Sequence, residues 1–104
     1  MSAPIETARV KLVTIIASSE MFDGIIEQLK AVGATGYTLL NADGRGFHGP
    51  KRAGLLTTGN VRIETLLRPA VAHKLLEHLA REYADRALTA YSHDVDAIPR
   101  EHFT

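Results

Sequence analysis

Three glycines and three cations crowd into one ten-residue run, Asp43-Gly44-Arg45-Gly46-Phe47-His48-Gly49-Pro50-Lys51-Arg52. Glycine tolerates positive φ, so such a run can turn its amide donors toward a ligand. Successive amides arranged in this way bind phosphate and carboxylate oxygens. Arg45, Lys51 and Arg52 add positive charge, and the planar guanidinium of Arg45 can engage two anion oxygens at once. His48 titrates near neutrality and can donate a hydrogen bond. The chemistry on offer is capture of a small anion. It is not a Walker loop, because no Gly-Lys-Ser/Thr follows the glycines and no helix opens after them. The bland alternative is a surface loop with incidental charges. Length argues against that: residues 43–59 are far more than a hairpin needs, and loops of this size in compact domains are usually functional or disordered.

The other chemistry-bearing residues are more scattered. His73 and His78 are five apart on the polar side of an expected helix, whereas a shared metal needs i and i+4. Both read as solvated, and His93 and His102 read as tail residues. Glu64 lies on an expected central strand and is either a contact to a bound base or an exposed charge. Tyr37 and Phe47 could flank a planar base, although Tyr37 serves equally as packing. No catalytic residue and no metal-ligand set stand out. With no cysteine, thiolate ligands and nucleophiles are excluded.

The bulk properties narrow the class. The chain has 104 residues, 45 % hydrophobic and 23 % charged, which reads as one globular domain. Twelve basic residues balance twelve acidic ones, so the large basic excess of a general nucleic-acid binder is missing. Residues 1–7 lack a basic segment followed by an apolar run, so no signal peptide is expected. No apolar stretch approaches the roughly 20 residues needed to cross a bilayer. The expectation is a cytoplasmic protein without membrane insertion.

These residues are positioned by six expected elements. Residues 10–17 (VKLVTIIA) are β-branched and almost continuously apolar, which predicts a central strand buried on both faces. Ser18 and Ser19 offer caps for a helix over 20–32, with Phe22, Ile25, Ile26, Leu29 and Val32 on its apolar side and Gly33 as its stop. Residues 36–41 predict a second strand, and the alternation in 61–67 a third. Pro69 suits the first position of a second helix, with Val71, Ala72, Leu75, Leu76, Leu79 and Tyr83 as its apolar stripe. Residues 87–93 predict a weaker fourth strand, and 94–104 a polar C-terminal tail. The order is βαββαβ, an α+β class whose two right-handed crossovers share one antiparallel sheet in the ferredoxin-like arrangement.

That arrangement puts both helices on one face of the sheet. The first strand nevertheless carries Val10, Leu12 and Ile16 on one side and Val13 and Ile15 on the other. Burying an aliphatic side chain is worth roughly 1.5–3 kcal/mol, so an uncovered second face would waste several such terms and invite aggregation. A further copy of the same chain is the simplest cover.

The run Val32-Gly33-Ala34-Thr35-Gly36-Tyr37-Thr38, then a strand and Gly44-Arg45-Gly46, resembles the signature of PII-like signalling proteins. Lys11 to Ile16, Arg62-Ile63-Glu64 and the element order match as well, so the similarity extends to about His93. The resemblance implies a homotrimer with adenine-nucleotide sites (AMP, ADP or ATP) in the clefts between neighbours. It makes residues 43–59 the T-loop between the second and third strands. The base would lie near Thr38, Glu64 and Leu66, and the phosphates against Gly44, Arg45 and Gly46. Arg86 would reach the phosphates, and Arg100 would supply a cation across the interface.

The sequence departs from nitrogen-regulatory relatives in three places. Residues 43–59 hold no tyrosine for modification, the glutamine that helps bind metal and 2-oxoglutarate aligns with His48, and the glycine-rich loop after the second helix is reduced to Tyr83-Ala84-Asp85-Arg86. The chain thus looks closer to the divergent, carboxysome-associated and SbtB-like branch. That branch implies bicarbonate as a second ligand, with Arg45, His48, Lys51 and Arg52 as candidate contacts, and a protein target related to a transporter or carboxysome. The implied role is regulatory rather than enzymatic. The rivals are a nitrogen-type PII regulator and a small acylphosphatase-type enzyme on the same fold. That enzyme chemistry wants an arginine after the first strand, where this chain has Ser18-Ser19-Glu20. An RNA-recognition domain would need exposed aromatics on its central strands, and the first and third strands have none.

Overall fold

The computed structural model describes residues 4–42 and 59–103. Strand β1 (Ala8–Ser18) leads through a short 3-10 turn (Ser19–Met21) into helix α1 (Phe22–Ala31). Strand β2 (Thr38–Ala42), strand β3 (Asn60–Leu67), helix α2 (Pro69–Glu82) and strand β4 (Leu88–Ala97) follow. The sheet order is β2-β3-β1-β4, and every neighbouring pair is antiparallel. This is the expected ferredoxin-like α+β arrangement. Among the described residues no helix is long and apolar enough to cross a membrane.

The core forms between the helices and one sheet face. Val13, Ile15 and Ala17 of β1 and Val61, Ile63 and Leu67 of β3 meet Ile25 and Leu29 of α1 and Ala72, Leu75 and Leu79 of α2. These helix residues are the i, i+3, i+4 positions of each apolar stripe, which is why both helices dock on the same face. Helix α1 ends as Gly33 directs: its φ of 87° lets its amide reach Lys30 O at 3.0 Å while the Ala34 amide reaches Leu29 O at 3.0 Å. This paired bonding is the Schellman closure. Its start differs from expectation, since Ser18 makes no side-chain cap and residues 19–21 tighten into the 3-10 turn. Strand β2 begins two residues late, and the Gly36 carbonyl ahead of it accepts from the Thr65 hydroxyl at 2.8 Å.

The largest difference is at the C-terminus. Residues 94–103, expected as a tail, are ordered. Strand β4 runs on to Ala97, held by pairing of Asp94, Val95, Asp96 and Ala97 with β1. Arg9 donates to Asp96 at 2.7 Å, and the Lys11 ammonium lies 2.8 Å from Asp94. Opposite charges on facing strands offset the polarity that made this stretch look like coil. A cis Ile98–Pro99 bond and a 3-10 turn (Arg100–Phe103) follow, and the turn packs against β1. Val10, on the face without helices, is 1 % exposed.

Candidate functional site

The register determines which side chains share the helix-free face. Thr38 and Thr14 lie opposite Glu64 from its two sides, and Leu12 lies opposite Leu66. Strand side chains alternate, so Leu12, Thr14, Ile16, Arg62, Glu64, Leu66, Thr38, Leu40, Tyr91 and Val95 all project from this side. At its lower half lies a cleft of about 560 Å³, within the range of small-molecule sites. Its walls include Leu12, Thr38, Glu64, Leu66, Val95 and Phe103, with Tyr37 at the margin.

Four residues chosen from the sequence, Tyr37, Thr38, Glu64 and Leu66, therefore meet in one cleft. Glu64 is held by Arg62, whose Nη2 donates to Oε2 at 2.8 Å, and its side chain is 25 % exposed. It offers a fixed anionic acceptor above an apolar floor. Tyr37 packs edge-on against Phe22, with ring centroids 6.0 Å apart. It serves as packing and as cleft wall together, where the sequence left the two readings open.

Arg86 and Arg100 lie elsewhere. Arg86 precedes β4 at the end of the sheet where β1 stops, its Nη2 3.6 Å from Glu20. Residues 42 and 59, which flank the glycine-rich run, are at that same end: Ala42 pairs with Asn60, and the Ser19 amide donates to Gly59 O at 2.9 Å. From Asn60 to Glu64 the strand rises about 13 Å. Arg100 is turned toward the N-terminal segment, with Nη1 3.4 Å from Glu6, and does not line the cleft of its own chain. Gly44, Arg45, Gly46, Phe47, His48, Lys51 and Arg52 lie outside the described residues, as does most of the expected T-loop. His73 is exposed and 3.6 Å from Glu77, and His78 is half-buried rather than fully solvated.

Sequence reasoning missed Leu12, Val95, Ile98 and Phe103 as cleft residues. Leu12 was read only as an oligomer contact, and the other three were expected in the polar tail. A signal was present: Tyr91, His93, Val95 and Ala97 alternate with polar residues, and Pro99 marks where such a strand must end.

Two charges near the cleft are tuned by their partners. Asp94 is held below the ordinary carboxyl value, first by its hydrogen bond to Lys11 and then by the charge of that ammonium. Arg9 is raised, chiefly by its hydrogen bond to Asp96. These pairs lie across the β1–β4 seam.

Known proteins share this architecture. A PII-like signalling protein from Thermus thermophilus superposes with a TM-score of 0.81 at 32 % identity, over 96 % of this chain and 100 % of that one. The structure of CPII from Thiomonas intermedia bound to ADP and bicarbonate superposes with a TM-score of 0.79 at 21 % identity, over 90 % of this chain and 93 % of that one. CPII in its apo form gives 0.75 at 17 % identity, over 90 % and 97 %. No curated protein matches. The family model for nitrogen regulatory protein P-II matches residues 10–101, from the first strand through the C-terminal turn, and the chain belongs to that family.

Proposed function

We propose that this protein is a regulatory sensor, not an enzyme, that binds AMP, ADP or ATP in clefts between the subunits of a homotrimer and couples that binding to bicarbonate. One observation carries the reading: the residues assigned to the base from sequence alone share a single cleft of suitable size. Glu64 accepts from the exocyclic amine, and Leu12 and Leu66 cover the base. The phosphates extend up the sheet toward Arg86 and the backbone of Gly44, Arg45 and Gly46. The structural likeness to CPII bound to ADP, AMP and bicarbonate supports this choice of ligands. The choice of the carboxysome-associated, SbtB-like branch over a nitrogen-type regulator rests on the missing tyrosine in residues 43–59, on His48 and on the shortened loop at 83–86. Bicarbonate is held by Arg45, His48, Lys51 or Arg52, and the ordered T-loop then presents a surface to a transporter or carboxysome-related target.

The helix-free face supports assembly. Leu40 is 44 % exposed and Tyr91 43 % exposed, with Ile16 half-buried on the strand between them. In the homotrimer this face is covered by neighbouring copies, and Arg100 supplies its cation across the interface. Calorimetry with AMP, ADP and ATP, each with and without bicarbonate, tests the reading. Binding of at least one nucleotide, with an affinity that bicarbonate alters, is the expected result. No heat with any of them overturns it. Arg45→Ala is expected to weaken nucleotide binding by about 1.5–3 kcal/mol, the worth of a charge-assisted hydrogen bond.

A further inference from the structure

The C-terminal turn brings an aromatic ring to the cleft from the far side of the sheet. Tyr37 precedes β2, at one edge; Phe103 follows β4, at the other, and both line the same cleft. The Tyr37 ring is engaged edge-on by Phe22 of α1 at 6.0 Å, so Phe103 is the aromatic side chain left to meet a ligand there. Phe103 is half-buried. Its turn is closed by the His102 amide donating to Pro99 O at 3.1 Å, and it is anchored by packing on β1 and by Arg100, 3.4 Å from Glu6. The cleft retains about 560 Å³ with Phe103 in place, so the ring forms a wall and does not fill the space.

We propose that Phe103 is a specificity-determining residue of the cleft, stacking on the planar base of the bound nucleotide while Glu64 reads its amine. This rests on the nucleotide reading above. Aromatic stacking rewards a flat heterocycle and gives nothing to a sugar phosphate alone, so Phe103 makes the cleft select nucleotides over other phosphorylated metabolites.

The test compares AMP with ribose 5-phosphate by calorimetry on the full-length wild type, Phe103→Ala and Phe103→Trp. Phe103→Ala is expected to weaken AMP about tenfold and leave ribose 5-phosphate unchanged. Because the chain has no tryptophan, Phe103→Trp supplies a single tryptophan that can be excited apart from the three tyrosines. It is expected to keep wild-type affinity and to be quenched when AMP binds. Unchanged AMP affinity in Phe103→Ala, equal losses for both ligands, or no quenching in Phe103→Trp overturns the role of Phe103 and leaves nucleotide sensing standing. A wild type that binds no adenine nucleotide overturns both.

Discussion

Glu64 shows what a single residue can contribute on a central strand. Its carboxylate is charged, partly covered and fixed by Arg62 at 2.8 Å, which suits it to accept from one amine. Glu64→Ala is expected to weaken AMP by about 1.5–3 kcal/mol while leaving the thermal midpoint close to wild type, as calorimetry and a melt would show. Thr14 is the opposite case. It is fully buried on the same face, and its hydroxyl has no hydrogen-bond partner among the described residues. Burying an unpaired hydroxyl costs about 1–3 kcal/mol, so Thr14→Val is expected to raise the unfolding free energy by an amount in that range, measured by denaturant titration. Asp94 carries a pH signature. Its carboxyl is depressed in the folded chain by Lys11, so the folded state holds this proton less tightly than the unfolded chain does. The pair's stabilisation is present above the ordinary carboxyl value of 3.8 and is lost as pH falls through the lower folded value. Lys11→Met is expected to flatten the acid limb of the stability profile there.

At the scale of elements, the two helices illustrate how much a stripe decides. Ile25 and Leu29 on α1, and Ala72, Leu75 and Leu79 on α2, are almost completely buried. Leu75→Ala is therefore expected to cost about 2–5 kcal/mol of stability, read from equilibrium denaturation. Gly24, exposed within α1, interrupts an otherwise good helix for a visible reason: an added Cβ would lie 2.7 Å from the Tyr83 hydroxyl but 3.9 Å from the ring carbon that bears it. In a Tyr83→Phe background the obstruction is gone. Gly24→Ala is then expected to stabilise by about 1 kcal/mol through helix propensity; a loss of stability there would show that the glycine serves something other than room for Tyr83. The strand β4 edge carries Arg9–Asp96 and Lys11–Asp94, both at least partly exposed. Pairs of this kind contribute little individually, and the backbone ladder with β1, from Ala8 opposite Ala97 to Ala17 opposite Leu88, holds the strand.

The whole molecule has one finished face and one unfinished. Helices cover the first. The C-terminal turn covers only the lower part of the second, leaving Ile16, Leu40 and Tyr91 at its upper part. A charge there opposes assembly, so Tyr91→Glu is expected to shift the proposed trimer toward smaller species in size-exclusion chromatography with light scattering. A wild type that elutes as a monomer would count against trimer assembly itself.

Much of this protein is legible in its residues. Continuous β-branched runs, two amphipathic stripes, a proline at a helix start and a glycine at a helix end are local signals, and local physics determines the βαββαβ order. The likeness of residues 32–46 to a known signature likewise depends on chain-neighbouring residues. Residues 94–103 are harder to read. The alternation through Val95 and Ala97 is a weak signal against their polarity, and pairing with Arg9, Lys11 and the backbone of β1, some 85 positions away in sequence, makes 94–97 a strand. The cleft shares that origin. Glu64, Leu66, Thr38 and Leu12 become neighbours through antiparallel register, and Phe103 joins them only because the chain turns at Pro99 and folds back on β1. Sequence determined which residues could recognise an anion or a base. Tertiary structure decided which of them stand around one cavity, because side-chain direction on a sheet is set by long-range hydrogen bonding rather than by neighbours in the chain.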